Sequence, residues 1–244
     1  MSLHRLRTLR RVAVAVLCIG VGPLTAVAAQ EVGPPVVEYK GRGIGSFEVR
    51  NNGLFPMNVV IEPFGFLQDS LGKITYVPFD ATHIKLRLSA MSLRLPPRAS
   101  LSVSYEVTSD SVPAWFVITS TFHGMRRQGV NYNFQLPHVV YLHQKTAVRS
   151  DDLWLTDLSF DPAARQARFR MRNPSAGLTR CGEGMLSGAT GARAAIAAFP
   201  LFPHFERWVL VDWPHANPPT KVRLLCTGGE LTFDQRPPPT SSTR

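Results

Sequence analysis

The chain has 244 residues, 44% of them hydrophobic and 18% charged, with 20 Pro, 18 Gly, 3 Cys and a formal net charge of +10. This length holds one or two domains and can bury a core without a disulfide framework. The charged fraction lies below the ~25% usual for soluble domains, which excludes long disordered polar tracts.

Residues 1–28 carry Arg5, Arg7, Arg10 and Arg11 and no acidic residue. An apolar run from Val12 to about Val21 follows, and the segment ends in Ala26-Val27-Ala28, a small-x-small pattern. Basic, apolar and small-residue regions in that order predict a secretory signal peptide. The apolar run is too short for a transmembrane helix, and Leu17 is not the small residue that a lipoprotein site at Cys18 wants. The Arg10-Arg11 pair fits twin-arginine and Sec export alike. The four arginines leave with the signal, so residues 29–244 carry +6. Their basic residues are scattered, with Arg126-Arg127 the one tight pair of arginines. A nucleic-acid binder needs a clustered basic footprint, so the sequence predicts an exported, periplasmic protein without nucleic acid and without stable membrane insertion.

Short runs rich in β-branched and aromatic residues, separated by turn residues, then recur along the chain. Val36–Tyr39 is the first. Gly45–Arg50 stops at the turn signal Asn51-Asn52-Gly53. Met57–Pro63, Ile84–Leu88 and Met91–Leu95 follow, the last running into Pro96-Pro97. Leu101–Val107 places Leu101, Val103, Tyr105 and Val107 on one face. Trp115–Phe122 is a continuous apolar strand, and Val130–Leu142 is the longest. About seven or eight strands thus fit between residues 34 and 145, the size of one immunoglobulin-like sandwich. Lys145–Asp152 reads as a short linker. A second series comprises Leu153–Phe160, Gln166–Arg172, Arg180–Ser187, Glu206–Val211 and Lys221–Thr227, with turns at Asp161-Pro162 and Asn173-Pro174. Ala192–Ala198 is too tightly bounded for a helix. Residues 236–244 form a polar, Pro-rich tail predicted to be disordered. The fold class is all-β, two immunoglobulin-like sandwiches in tandem, with domains at 29–147 and 148–235 and no internal repeat visible in the sequence.

The motifs of catalysis are missing. The sequence has neither a GxSxG elbow nor an HExxH helix, and Gly41-Arg42-Gly43-Ile44-Gly45 lacks the lysine of a phosphate loop. The seven histidines read as surface or loop residues, with His138 and His143 on opposite faces of a strand. No catalytic residue, metal site or cofactor is therefore expected. Cys181 and Cys226 remain as an even pair in an oxidising compartment. They are either two separate thiols or a disulfide whose loop would contribute about 4 kcal/mol in the chain-entropy model.

Within Val130–Leu136 apolar residues alternate with Asn131, Asn133 and Gln135, which gives one apolar and one polar face. Pro137 removes a ladder donor and suits an edge or a bulge. Val139–Leu142 is continuous and predicted to be buried on both faces. Val130–Leu142 is either an ordinary core strand or an edge strand that pairs with a partner.

The order of these features resembles the periplasmic pilus-assembly (fimbrial) chaperones of the PapD-like superfamily, over residues 34–234. Phe47-Glu48-Val49-Arg50-Asn51-Asn52 is similar to the family's second strand and its Asn-rich turn. Leu93-Arg94-Leu95-Pro96-Pro97-Arg98-Ala99-Ser100 is similar to its L-x-P-x-x-S passage, and Pro113-Ala114-Trp115-Phe116-Val117-Ile118 to its aromatic sixth strand. Val130–Leu142 resembles its long last strand, and a second, shorter domain follows. The resemblance implies a boomerang of two domains that lends this last strand to an exported pilin-like subunit lacking one of its own. An outer-membrane usher is a further implied partner. Val130, Tyr132, Phe134 and Leu136 would be the donor side chains, each contributing about 1.5–3 kcal/mol on burial. The family grips the subunit's terminal carboxylate with an Arg and a Lys. Here those positions fall near Val36 and on His138 or Val139, and Lys40, Arg42 and Lys145 are the nearby cations. The alternative is an exported structural or adhesive protein whose long strand is buried in its own core.

Overall fold

The computed structural model describes residues 30–124 and 133–235. The expected signal peptide, Val130, Tyr132 and the tail from residue 236 lie outside them. The described chain is built of strands, with a single 3-10 turn at Ser150–Asp152 among the described residues. No described helix is long and apolar enough to cross a membrane.

The first ten strands are β1 (Gln30–Gly33), β2 (Val36–Lys40), β3 (Gly43–Asn51), β4 (Met57–Gln68), β5 (Ile74–Val77), β6 (Ile84–Leu88), β7 (Ser92–Leu95), β8 (Ser100–Ser109), β9 (Ala114–Gly124) and β10 (Asn133–His143). One sheet has the order β1-β3-β8-β6, the other β2-β10-β9-β4-β5 with β7 on β4. Phe47, Val49, Val59, Ile61, Val103, Val107, Phe116 and Ile118 fill the space between them. Leu101, predicted to join this face, sits at the end of β8 and is 46% exposed.

Eight further strands follow. They are β11 (Trp154–Asp161), β12 (Gln166–Asn173), β13 (Thr179–Gly188), β14 (Arg193–Ile196), β15 (Phe199–Leu201), β16 (Phe205–Asp212), β17 (Pro219–Cys226) and β18 (Gly229–Asp234). They form the sheets β11-β12-β16 and β14-β13-β17-β18, with β15 on β13. Their core holds Phe169, Met171, Leu186, Leu201, Trp213, Val222 and Leu224. Cys181 and Cys226 face each other across β13 and β17 and are joined as a disulfide. The architecture is two immunoglobulin-like sandwiches in tandem, as the strand spacing predicted. The sequence reading missed β1, β5, β14, β15 and β18, which are short, and ended β4 too early at Pro63. Ile61 donates its N–H to Met91, away from β9, so Pro63, two residues on, has its missing donor on that same side. There it falls in the gap between β7, which pairs Met57–Val60, and β5, which pairs Gly65–Gln68.

The two sandwiches share a local device that the sequence does not display as a repeat. Asn51 ends β3 with its amide fully buried, donating to the carbonyls of Phe55 (2.8 Å), Leu95 (3.3 Å) and Pro96 (3.1 Å). Asn173 ends β12 in the same way, donating to Gly177 (2.7 Å), Leu201 (3.2 Å) and Phe202 (3.1 Å). Each amide thus ties the turn that follows its strand to a segment distant in sequence.

A third apolar cluster joins the sandwiches. Phe66, Val117 and Tyr141 of the first pack against Leu178 and Phe202 of the second. Beside it Glu38 accepts from His143 Nε2 (2.9 Å) and from Arg180 Nη1 (2.7 Å). These partners, His143 first and then Arg180, hold the Glu38 carboxyl below its usual range against the opposing effect of burial.

Candidate functional site

Strand β10 is held differently along its two halves. On one side it pairs with β9 throughout, from Asn133 to Leu142. On the other it pairs with β2 from Val139 onward, and no described strand pairs with Asn133–His138 there, although β1 runs close to β10. The cause lies in the first strand. β1 pairs with β3 in the opposite sheet. The chain then crosses at Pro34-Pro35, which have no N–H to give to either ladder, and enters the second sheet as β2, parallel to β10. Among the described residues the first half of β10 is left as an edge.

The directions of the backbone groups follow from two bonds. Val139 donates its N–H to Pro35 (2.8 Å) and His143 accepts from Gly41 N–H (3.0 Å), both on the side away from β9. By the period of two, the backbone groups of Asn133, Gln135 and Pro137 point to this same side. Pro137 therefore sits where its missing donor costs the β9 ladder nothing. It limits what the edge can offer: Asn133 and Gln135 present N–H and C=O, Pro137 a carbonyl alone.

The side chains divide by parity. Asn133, Gln135 and Pro137 are exposed. Phe134 and Leu136 point inward but are half-buried, at the rim of the first core. Phe134 stacks on Phe122 with ring centroids 4.9 Å apart. Val140 and Leu142 continue the inward face into the core, while Val139 and Tyr141 turn to the cluster between the sandwiches. That accounts for the continuous apolar run. Of the four predicted donor side chains the structure places Phe134 and Leu136 together at the edge, and Val130 and Tyr132 precede the described part of the strand.

The histidines depart from expectation. His138 is fully buried and His143 is 8% exposed, so neither is a surface or loop residue. His138 closes the edge. Its Nδ1–H donates to the Pro34 carbonyl (2.6 Å), and its Nε2 accepts from the Tyr105 hydroxyl (3.0 Å), which accepts in turn from Tyr39 (2.8 Å). The imidazole stacks on Phe47 at 4.8 Å. Burial pushes the His138 pKa down, opposed in part by the bond to Pro34, and burial pushes the Tyr105 phenol up, helped by Tyr39. The network is neutral and pins the crossing at Pro34 to the point where β10 gains its second neighbour. A lone histidine after a proline gives no such signal in sequence; the partners arrive from the crossing at Pro34, from β3 and from β8.

The nearby cations do not reach the edge. Lys40 pairs in register with His143, nine residues along β10 from Phe134, about 30 Å at strand rise. Together with Lys145 it lines a cleft of about 160 Å³ at that far end, beside Glu38, His143 and Leu178. Arg42 is paired with Glu106 at 2.9 Å.

No family model matches the chain, and no curated protein matches it. Solved structures do. The YadV chaperone superposes with a TM-score of 0.51 at 14% identity, over 86% of this chain and 100% of that one. The Pseudomonas aeruginosa CupB2 chaperone gives 0.51 at 13% identity, over 84% and 98%. A chain from the Salmonella enterica SafA pilin complex with the SafB chaperone gives 0.54 at 11% identity, over 86% and 98%. The chain shares the two-sandwich fold of these pilus chaperones. The half-open β10 is the last strand of the first sandwich, the strand that the sequence resemblance marked.

Proposed function

We propose that this protein is a periplasmic chaperone that binds an exported, pilin-like subunit by lending it the free edge of β10. The observation that carries the reading is the edge itself: Asn133–His138 paired on one side, with Phe134 and Leu136 half-buried beside it. A subunit strand laid along this edge would take its backbone bonds from Asn133 and Gln135. The apolar side chains Val130, Tyr132, Phe134 and Leu136 would fill its groove, the usual division between affinity and specificity in β-augmentation. Binding by burial and backbone pairing needs no nucleotide, metal or catalytic group. Because Lys40, Arg42 and Lys145 stand away from the edge, no terminal-carboxylate grip is assigned. An outer-membrane usher would receive the loaded complex.

The stacking of Phe134 on Phe122 is also what a self-contained structural or adhesive protein would show, so the test must separate the two. The protein is expressed with its own export segment, purified from the periplasm and examined for bound β-rich subunits. Wild type is expected to carry a subunit, and the double variant Tyr132→Asp/Phe134→Asp to lose it while keeping the wild-type circular dichroism. Recovery of the wild type with no bound subunit, or undiminished binding by the double variant, would overturn the proposal.

A further inference from the structure

The outward face of the sheet β11-β12-β16 gathers Arg168, Arg170 and Arg172 with Trp154 and Trp208. Across the three strands its rows read Trp154, Arg172, Glu206; then Thr156, Arg170, Trp208; then Ser159, Arg168, Leu210. Trp154 is 51% and Leu210 45% exposed. The opposite faces of these strands, including Leu155, Phe169, Met171 and Val209, fill the second core, so the arginines and indoles contribute nothing to it. The guanidinium of Arg172 lies 4.9 Å from the Trp154 ring, and those of Arg168 and Arg170 lie 5.1 and 5.2 Å from that of Trp208. Stacking on an indole fixes the plane of a guanidinium and leaves its edge donors free for a planar anion.

The middle arginine shows which anion. Arg170 donates from Nε to Asp157 Oδ2 (2.6 Å) and from Nη1 to Glu206 Oε1 (3.1 Å). Asp157 reaches it from a β-bulge between Thr156 and Ser159, with a left-handed φ of 57°. Arg168 and Arg172 have no carboxylate partner among the described residues; Arg168 donates to Ser159 Oγ at 3.2 Å. They are four residues apart on one strand, about 13–14 Å. Carboxylates at i and i+4 of another extended chain have the same separation.

We propose that this face is a second binding surface, for an acidic polypeptide segment in extended conformation, with Arg168 and Arg172 taking its carboxylates and Trp154 and Trp208 orienting them. The surface is independent of the β10 edge. Anisotropy of a fluorescein-labelled poly-L-glutamate, titrated with the full chain at low salt, tests it. Wild type should bind saturably and more weakly as salt rises. Arg168→Glu/Arg172→Glu should lower the affinity by about tenfold or more, as the loss of charge-assisted bonds implies. Arg87→Glu/Arg94→Glu, on the first sandwich, changes the net charge equally and should leave binding within about twofold, since surface charges this distant are screened. The proposal is overturned if wild type does not bind, or if both double variants weaken binding alike, which would mean net charge alone. It is overturned equally if phosphatidylglycerol vesicles capture the chain through Arg168 and Arg172 while poly-glutamate does not.

Discussion

His138 concentrates the physics of the candidate site in one side chain. Its burial favours the neutral imidazole, so its pKa in the folded chain lies below the roughly 6.5 of an unfolded one. A depressed pKa means that the unfolded chain takes up the proton first. The stabilisation is complete above about pH 6.5 and is lost as the pH falls from there through the folded-state value. Thermal unfolding should therefore show a melting temperature that drops between about pH 7 and pH 5. The variant His138→Phe leaves the Pro34 carbonyl and the Tyr105 hydroxyl without their partner, a loss of about 1–3 kcal/mol at neutral pH, but it should flatten the slope in that window. An unchanged slope would show that other groups carry it. Single residues were unevenly legible. Asn51 and Asn173 announced turns through Asn-Asn-Gly and Asn-Pro. That their amides are buried and satisfy three carbonyls each depends on strands distant in sequence, Leu95-Pro96 for one and Leu201-Phe202 for the other.

Among the elements, β10 shows how far a period of two can be read. Alternation over Val130–Leu136 identified an apolar and a polar face, and both exist as far as the strand is described. The edge could not be read with equal force, because a strand's own residues do not record which neighbours it has. Pro137 was the one local pointer. Its missing N–H faces away from β9, so Pro137→Ala should cost less than about 1 kcal/mol, chiefly through added freedom in the unfolded chain. Leu136→Pro removes a donor that faces β9 and should cost about 3 kcal/mol or more. Urea denaturation of the two variants checks this contrast, and equal losses would contradict the assigned backbone direction. The disulfide shows a similar division. Pairing and compartment made Cys181–Cys226 a candidate, and the register of β13 against β17 brings the two residues opposite each other.

At the scale of the molecule, the apolar cluster between the sandwiches couples two separate cores. Phe202 sits at its centre, with ring centroids 4.6 Å from Trp115 and 6.0 Å from Phe66. We take residue 147 as the last of the first domain, since Val148 is buried in the second core. Truncation of a buried Phe costs about 3–5 kcal/mol, and here that cost falls on the contact between the halves. Phe202→Ala should split a single calorimetric unfolding transition into two, or widen a separation already present; unaltered coupling would place the cohesion elsewhere. The sequence by itself determined the all-β class, the two successive sandwiches, the punctuating turns and the alternating last strand, because each is written in the local period of apolar residues and in turn chemistry. Tertiary structure alone decided that the first strand changes sheets at Pro34-Pro35, that half of β10 is thereby left as an edge, that His138 is buried in a neutral network and that Val139 and Tyr141 turn toward the second sandwich. Those are properties of neighbours, set by pairing between segments more than a hundred residues apart, as in the bond from His138 to Pro34. No local pattern encodes such pairing.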